Sequence, residues 1–337
     1  MSGRVGMTDV ARLAGVSQKT VSRVVNGEQY VSEAVRARVQ AVIAEVGFRP
    51  NAAARALVTR RTRRIGVVAA ASAQYGPAAT IAGVERAAAE RGYYVSVARV
   101  REDTASGLQA AVDELLAQEI EAIAISEATD IGHPDIRVPA GMPVLSFDLP
   151  ERSPRPAELL VAADEVPAAR SAVEHLLGHG HETVHHIAGP PGWTGSRRRE
   201  AGWRAALEDA GRRIPDVVAG DWSPASGHDA MVTLLEDRPT AVFVANDHMA
   251  IGAIRAIERA GLRVPADVSV VGFDDIPESA FLSTALTTVR QDFEGRTAFA
   301  ISLLIDAVEG RPPADAVHVV PTDLVVRESA APPAPPR

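Results

Sequence analysis

The sequence predicts an α/β protein in which a small helical head precedes a two-lobed body built on parallel sheets. Residues 1–64 contain three short amphipathic helical patterns and a marked excess of positive charge. From Arg64 onward, apolar strand patterns alternate with helical patterns, which is typical of parallel sheets covered by helices. This alternation continues for about 270 residues, more than one ordinary domain needs, so we expect two lobes.

Composition excludes several classes of protein. The 337 residues are 46% hydrophobic and 23% charged, as in ordinary globular proteins. The chain has no cysteine, which excludes disulfides and thiolate metal sites and fits a reducing cytoplasm. The N-terminus lacks the apolar segment of a secretion signal, and no apolar run approaches the roughly 20 residues of a membrane span. We therefore expect a cytoplasmic protein without membrane contact.

Charge is distributed unevenly along the chain. Residues 1–64 hold twelve Arg and Lys against four Asp and Glu, a surplus of eight positive charges. The whole chain carries a net charge of −8, so the remainder carries −16. A basic head on an acidic body is expected of a nucleic-acid module joined to another domain. Charge alone also fits a solvated basic face, so sequence motifs are needed to distinguish the two interpretations.

The head has the pattern of a helix-turn-helix. The predicted helices are 9–14 with Thr8 as N-cap, 18–25 capped by Ser17, and 33–46 capped by Ser32 and ended by Gly47. Only three residues separate the first two helices, which is the spacing of this motif. The second helix should then enter the major groove of DNA.

Three side chains of the second predicted helix are candidates for reading bases. Gln18 can pair with adenine, and Lys19 and Arg23 with guanine. Val21 and Val24 should face the other helices instead. Other polar side chains of the head complete the candidate DNA-binding set, several of them as phosphate contacts: Thr8, Ser17, Thr20, Ser22, Asn26, Tyr30 and Ser32. Ser17 and Ser32 are equally well explained as helix caps.

In the body, polar side chains follow the predicted strands. Parallel sheets bind ligands beyond the carboxyl ends of their strands. Side chains in these loops that suit a sugar are Asp148, Arg199, Trp222, Asn246, Asp274 and Gln291. Carboxylates, amides and a guanidinium can bond paired hydroxyls, while a tryptophan face packs on the apolar side of a pyranose ring. Individually, an Asp after a strand is more often a helix cap.

Long segments resemble the lactose-repressor (LacI/GalR) family. They are MTDVARLAGVSQKTVSRVVNG, GFRPNAAARAL, GDWS, VANDHMAIGAIRAIERAGLRVPADVSVVGFDD and LTTVRQDF. The resemblance runs from about Met7 to Arg327. It implies a periplasmic-binding-protein-like sensor whose two lobes are joined by three crossovers. The implied domains are a head (1–50), a hinge (51–64), an N-terminal lobe (65–162 with 291–319), a C-terminal lobe (163–290 with 320–329) and a disordered tail (330–337).

The resemblance also implies roles for residues of the hinge. In the family such segments order on operator DNA, pair across a dimer and insert a leucine into the minor groove, which kinks the duplex. The corresponding residues are Asn51, Ala54 and Leu57, with Leu57 as the wedge. About eight residues are too few for a stable isolated helix. An ordinary linker helix is the alternative interpretation.

The implied sugar contacts are the six polar residues above together with Phe293. Ala70, Gln74 and Ser126 differ from the family residues at three further contact positions, which should alter what is read at the sugar's aglycone and 6-position. Trp193 either lines the mouth of the cleft or covers a loop. Five histidines between 175 and 186 suggest a metal site, but they span a helix end and a strand, so we expect no metal and no cofactor.

We therefore expect a homodimeric repressor of sugar-utilisation genes that leaves its operator DNA when a small sugar, such as a galactoside, binds. One alternative keeps DNA binding but uses a corepressor such as a purine. A second is a sugar-binding module without DNA activity. A third, an α/β enzyme, is disfavoured because the sequence has no nucleophile elbow, Walker loop or dinucleotide fingerprint. The chain ends without a leucine-heptad helix, so we expect a dimer rather than a tetramer.

Overall fold

The computed structural model describes residues 5–25, 30–48, 61–70, 74–101, 104–126, 136–147 and 157–334. The chain divides into two compact units, residues 1–62 and residues 63–337. Within the described ranges, no helix combines the length and the apolar character that crossing a membrane requires.

The head is the predicted bundle of three helices: α1 (Met7–Ala14), α2 (Gln18–Val25) and α3 (Glu33–Val46). Gly15 and Gly47 end α1 and α3 with φ values of 63° and 62°, the left-handed conformation that glycine adopts without strain. Val10, Val21 and Val39 are fully buried between the helices. The helix-turn-helix prediction is confirmed.

The start of α1 differs from the prediction. The helix begins at Met7 with Gly6 as its N-cap, so Thr8 lies in the first turn and does not cap it. The Asp9 carboxylate accepts a hydrogen bond from the Gly6 backbone N–H at 3.0 Å. An acidic residue at the third helical position thus satisfies the N-cap amide from within the helix.

The described residues of the N-terminal lobe form a sheet of six parallel strands. They are β1 (Arg64–Ala70), β2 (Tyr94–Val100), β3 (Ala122–Ser126), β4 (Val144–Ser146), β5 (Glu158–Ala163) and β11 (Val317–Val320), in the spatial order β11-β5-β4-β3-β1-β2. Its helices are α4 (Tyr75–Glu90), α5 (Ala105–Leu116) and α10 (Phe293–Val308). Every residue of β5 is buried, as expected of a strand covered on both faces.

The C-terminal lobe repeats this plan. Its strands are β6 (His185–Ala188), β7 (Val218–Ala219), β8 (Ala241–Val244), β9 (Ser269–Asp274), β10 (Thr287–Arg290) and β12 (Asp323–Val325), in the order β12-β10-β9-β8-β6-β7. Only the β10–β12 pair is antiparallel. Its α-helices are α6 (Glu165–Gly178), α7 (Thr194–Asp209), α8 (Pro224–Leu234) and α9 (Asp247–Arg259). Two 3₁₀ turns are Leu235–Asp237 and Pro277–Ala280.

The chain passes between the two sheets three times. It crosses after β5, returns after β10 through α10, and crosses again between β11 and β12. The two-lobed α/β prediction is therefore confirmed. The carboxyl ends of β3, β4 and β5 in one lobe and of β8, β9 and β10 in the other carry the residues described below, which places the site between the lobes.

The end of the chain corrects the prediction of a disordered tail starting at residue 330. Ser329 is fully buried, and its hydroxyl donates to the Val270 carbonyl at 2.6 Å. The Ala331 N–H donates to Ser269 Oγ at 3.0 Å, and the Ala331 carbonyl lies 3.0 Å from His181 Nε2. Residue 331 is thus held because its backbone groups complete the hydrogen bonds of side chains at the start of β9 and before β6.

The histidines between 175 and 186 take separate roles. The rings of His175 and His179 form an edge contact at 4.7 Å, whereas His181 bonds Thr240 and Ala331. His186 is stacked between Trp203 and Phe243 in the core. In the described part of the chain, no three metal-ligating side chains form a group that could hold an ion.

Candidate functional site

The second helix of the head presents its two faces as the sequence predicts. Gln18 and Lys19 are exposed at its start, and Arg23 is half-buried one turn later. Val21 and Val24 are buried, at 0% and 6% exposure, against the other helices. The base-reading candidates therefore lie on the side of the helix that is open to solvent.

Several other predicted DNA contacts are described. Ser17 behaves as a cap, because its Oγ accepts from the Thr20 backbone N–H at 3.1 Å and lies 2.9 Å from Thr20 Oγ1. Tyr30 is 88% exposed just before α3. Ser22 is half-buried, whereas Thr8 and Ser32 are exposed. Asn26, Asn51, Ala54 and Leu57 lie outside the described residues.

A cleft of about 850 Å³, including its open mouth, lies between the two lobes. Its walls bring together most of the sugar contacts that the sequence analysis selected: Gln74, Ser126, Trp193, Arg199, Trp222, Asn246, Asp274, Gln291 and Phe293. Asp148 lies outside the described residues. Ala70 is not on this wall: it is buried at the end of β1, where its carbonyl accepts from Arg99 Nη1 at 3.0 Å.

Two tryptophans form an aromatic corner on the C-terminal lobe. The rings of Trp193 and Trp222 meet edge to face at 5.8 Å. An added Cβ on Gly189 would lie 2.1 Å from the Trp222 ring, so the position of this indole requires a glycine there. The indole Nε1 of Trp222 is buried and has no hydrogen-bond partner among the described residues.

Arg199 connects this corner to the acidic residues of the cleft. Its guanidinium lies 2.7 Å from Glu165 Oε1 and 3.5 Å from Asp274 Oδ1, and it stacks 4.0 Å from the centre of the Phe273 ring. Burial disfavours its charged form, but the charges of Glu165 and Asp274 outweigh this and raise the pKa of Arg199. A buried cation is thus retained beside two carboxylates.

Asp274 is the central carboxylate of the cleft. It accepts a hydrogen bond from Gln291 Nε2 at 2.8 Å, and it is 6% exposed. Burial raises the pKa of Asp274, while Arg199 and Gln291 act in the opposite direction. Its φ of 111° lies in the region that favours glycine, and the φ of Asp275 is 55°. This backbone turns the carboxylate from the end of β9 into the cleft wall.

Asp247 holds the loop that carries Asp274. Its carboxylate accepts hydrogen bonds from Thr288 Oγ1 at 2.6 Å, Ser279 Oγ at 2.7 Å and the Ile276 N–H at 2.9 Å. Burial, together with the nearby charge of Asp274, raises the pKa of Asp247 to about 7. The start of α9, β10 and the turn at Pro277–Ala280 thus share one buried group.

Asn246 is both a helix cap and a residue of the cleft wall. As the N-cap of α9, its Oδ1 accepts from the Met249 N–H at 2.9 Å. Its Nδ2 donates to the Trp222 carbonyl at 3.2 Å, and the side chain also lines the cleft. The cap fixes the amide where it can meet a ligand.

The structure adds wall residues that the sequence analysis did not select. The charged and hydroxyl-bearing ones are Tyr75, Thr80, Glu165, Arg198 and Arg296. All five lie within the first two turns of helices α4, α6, α7 and α10. They do not lie in the loops directly after strands, but the helices that follow such loops begin at the same edge of the sheet.

Comparisons with known proteins agree with this architecture. Residues 6–51 match the model of bacterial regulatory proteins of the lacI family, and residues 173–330 match that of a periplasmic binding protein-like domain. The lactose operon repressor of Escherichia coli K12 is 35% identical over 336 residues, which cover 98% of this chain and 91% of that protein. The chain belongs to the lacI family.

Two further comparisons extend along most of the chain. The ribose operon repressor of Escherichia coli K12 is 35% identical over 90% of this chain and 92% of its own length. A crystal structure of the lac repressor dimer bound to operator and the anti-inducer ONPF matches with a TM-score of 0.83 and 33% identity, covering 97% of this chain and 99% of that one. This lacI-family member is a DNA-binding transcriptional regulator with a sugar-binding-like effector domain, and it is not an enzyme.

Proposed function

We propose that the protein is a cytoplasmic, homodimeric repressor of sugar-utilisation genes that leaves its operator when a small sugar binds between the lobes. The observation that supports a sugar as the ligand is the corner of Trp193 and Trp222, which lies beside the Arg199–Asp274–Gln291 network. An indole face packs on the apolar side of a pyranose, while carboxylate, amide and guanidinium groups bond its hydroxyls. The similarity to repressors named for lactose and ribose supports this class of ligand.

Operator binding is assigned to the head. Gln18, Lys19 and Arg23 read bases, and the neighbouring hydroxyl groups hold phosphates. A pseudo-palindromic operator needs two heads, and the similarity to an operator-bound lac repressor dimer supports a dimer. Asn51, Ala54 and Leu57 form the hinge in this proposal, with Leu57 inserted into the minor groove.

The sugar acts through the two lobes. A ligand that contacts Asp274 and Trp222 on one wall and Ser126 on the other favours one relative placement of the lobes over another. A ligand shifts a conformational equilibrium by its difference in affinity between the two states. We propose that the favoured placement separates the hinge segments of the dimer, which weakens operator binding.

Selection of operators from a random duplex pool, followed by fluorescence anisotropy, tests the proposal. Arg23→Ala is expected to lower the ratio of specific to non-specific affinity by about 10- to 100-fold, because one good base contact contributes about 1–3 kcal/mol. Arg38→Ala, an exposed change on α3, serves as the control. Selection of no preferred sequence, or unchanged selectivity in Arg23→Ala, would contradict the assignment.

A panel of mono- and disaccharides, tested on the selected operator and in a thermal-shift assay, examines the effector. A sugar that raises the Tm and weakens operator binding supports induction. A purine that tightens binding would instead support the corepressor alternative. If no saccharide changes the Tm or the operator affinity, a sugar effector is excluded.

A further inference from the structure

Asp247 is a buried carboxyl group that lies behind the wall of the cleft. It is the first residue of α9 and is fully buried. Its three hydrogen-bond donors, the hydroxyls of Thr288 and Ser279 and the Ile276 N–H, are all neutral. Among the described residues, no basic side chain forms an ion pair with it. The partners of Asp247 therefore enclose the carboxyl group without neutralising its charge.

The neighbouring carboxyl group, Asp274, is the one with a cation beside it. Its Oδ1 lies 3.5 Å from Arg199 Nη2 and accepts from Gln291 Nε2 at 2.8 Å. Burial, and then the charge of Asp274, raise the pKa of Asp247 to about 7. Two carboxyl groups in one buried site are not both ionised at low cost, so the pair holds a proton near neutral pH. Because Arg199 stabilises negative charge on Asp274, this proton resides on Asp247.

The surroundings of Asp247 accommodate a proton without loss of hydrogen bonds. A hydroxyl group both donates and accepts, so a protonated Oδ1 can donate to Thr288 Oγ1, 2.6 Å away, while Oδ2 still accepts from the Ile276 N–H. A Cβ on Gly272 would lie 2.2 Å from Asp247 Oδ1. The backbone of β9 therefore occupies a side of the carboxyl group from which water or a counter-ion could otherwise balance a charge.

Other titratable groups surround Asp247 on the elements packed near it. His228 of α8 pairs with Asp229 at 3.0 Å, and Arg290 of β10 pairs with Asp275 at 2.6 Å. Histidines commonly change charge between pH 5 and 8, so the histidines near Asp247 serve as controls in the test below. The remaining groups are Asp274 of β9, Arg199 of α7, Tyr75 of α4, Glu278 of the second 3₁₀ turn and His248 of α9.

We infer that Asp247 carries a proton when the effector is bound, and that the effector therefore binds less tightly as the pH rises above neutral. The inference rests on the proposed function and adds a form of regulation to it. A ligand in the cleft excludes water from Asp274, so a second negative charge behind that carboxylate costs more in the bound state than in the free one. Asp247 acts through Asp274 and is a positioning residue.

Isothermal titration with lactose, ribose and cellobiose at pH 6.5 and pH 8.5 tests this inference. For a saccharide that binds, the Kd of the wild type should be up to about 25-fold higher at pH 8.5, which is the ratio of the protonated fractions for a pKa near 7. At pH 8, titrations in two buffers of different ionisation enthalpy should show uptake of about one proton per bound ligand.

Asp247→Asn should bind the saccharide equally well at both pH values and take up no proton. Its amide offers one acceptor oxygen and N–H donors, as the protonated carboxyl group does, and it does not titrate. A merely structural role of Asp247 predicts weaker binding by this variant at both pH values. His248→Gln and His228→Gln are the controls and should keep the pH dependence of the wild type.

A second variant is available if Asp247→Asn does not fold, as judged by operator binding. Thr288→Val removes one donor to the ionised carboxylate, so the pH at which affinity declines should rise by about one unit. Its matched control is Thr233→Val on α8, where the side chain is exposed and its hydroxyl bonds only the Asp229 carbonyl.

Urea denaturation tests the proton without a ligand. The pKa of Asp247 is raised in the folded protein, so this group contributes stability that is fully present below about pH 4 and is lost as the pH rises to about 7. Relative to Asp247→Asn, the unfolding constant of the wild type should rise by up to about tenfold per pH unit between pH 5 and pH 7. Groups common to both proteins, such as His186, cancel in this comparison.

The outcomes separate the inference from the proposed function. A Kd that is independent of pH, tighter binding at pH 8.5, or a pH dependence that disappears in a histidine variant would overturn the inference and leave a sugar-responsive repressor intact. Absence of binding by every saccharide, with operator binding preserved, would overturn the sugar effector. In that case, unfolding constants of the wild type and Asp247→Asn that change in parallel with pH would overturn the protonated Asp247 as well, and constants that diverge would support it.

Discussion

Asp274 combines a buried carboxylate with a backbone conformation that L-residues rarely adopt. A positive φ of this kind costs on the order of 1–3 kcal/mol and persists where surrounding contacts hold it, commonly at functional sites. Here the carboxylate of the next residue, Asp275, lies 2.6 Å from both Arg290 Nε and Arg327 Nη2. The loop is therefore fixed before any ligand arrives.

Paired substitutions of Asp274 separate strain from binding. Asp274→Ala and Asp274→Gly should both abolish the sugar response while operator binding persists. Asp274→Gly should be more stable than Asp274→Ala by about 1 kcal/mol, because glycine adopts positive φ without a Cβ clash. Urea denaturation and sugar titration measure the two effects. A normal sugar response in either variant would remove Asp274 from the site.

The buried His186 should make the stability of the protein depend on pH. It is fully buried between Trp203 and Phe243, and its Nδ1–H donates to the Phe243 carbonyl at 3.0 Å. Burial lowers the pKa of His186 to about 4. The unfolded chain therefore binds a proton near pH 6.5 that the native protein binds only near pH 4, so stability is lost as pH falls through this window.

His186→Phe should remove most of this loss. The wild type should lose up to about 3 kcal/mol from this group between pH 6.5 and pH 4, whereas the variant keeps the ring stacking and has no proton to take up. Urea titrations at several pH values measure the slope. Parallel slopes for the two proteins would show that His186 is not the group responsible.

At the scale of elements, helices α8 and α9 pack closely because each contributes a glycine. A Cβ on Gly252 would lie 1.8 Å from the Pro224 carbonyl oxygen, and one on Gly227 would lie 2.2 Å from the Met249 carbonyl oxygen. Both contacts involve backbone, which cannot move away as a flexible side chain can. This pair of helices follows directly from Trp222 and Asn246, so its packing positions the cleft wall.

Gly252→Ala should therefore destabilise the protein by about 3 kcal/mol, in the range observed for overpacked interiors. Gly178→Ala is the matched control, since no atom lies within 4 Å of its added Cβ and alanine is the better helix former. The control should be neutral or slightly stabilising. Equal Tm values for the two variants would contradict the close helix packing.

The elements that the sequence predicted are those with strong periodicity. The helices of the head and strands such as β1, β8 and β9 show it clearly. Strands β5, β7, β10, β11 and β12 and helices α8 and α10 were not predicted. β7 spans only two residues, and Gly295 interrupts the start of α10, where the Asp292 side chain accepts from the Gly295 N–H at 2.8 Å. Such elements are fixed by tertiary packing and caps.

The cleft was predictable to a similar degree. Residues after strands, such as Asn246 and Asp274, follow from the rule that parallel sheets bind ligands at their carboxyl ends. Arg296 and Thr80 do not, because their meeting depends on α10 packing against α4, two helices about 200 residues apart in the sequence. Contacts of this separation are a property of the topology and leave no local signal.

On the scale of the whole molecule, the surplus of positive charge and the cleft lie in different units. The basic head provides salt-dependent attraction to phosphates, and the acidic body opposes non-specific adhesion to DNA. A cleft whose walls come from two lobes can convert ligand binding into relative movement, because each ligand contact depends on the placement of the lobes. Regulation therefore requires free-energy coupling between two separate sites.

The most direct test is a linked titration of the purified protein with its selected operator and a binding saccharide. Coupling between sites is reciprocal, so the sugar should weaken operator affinity by the same factor by which operator weakens sugar affinity. We expect a factor of about 5 to 150, equivalent to about 1–3 kcal/mol, and none with Asp274→Ala. Operator affinity that is identical with and without saturating sugar would contradict the account.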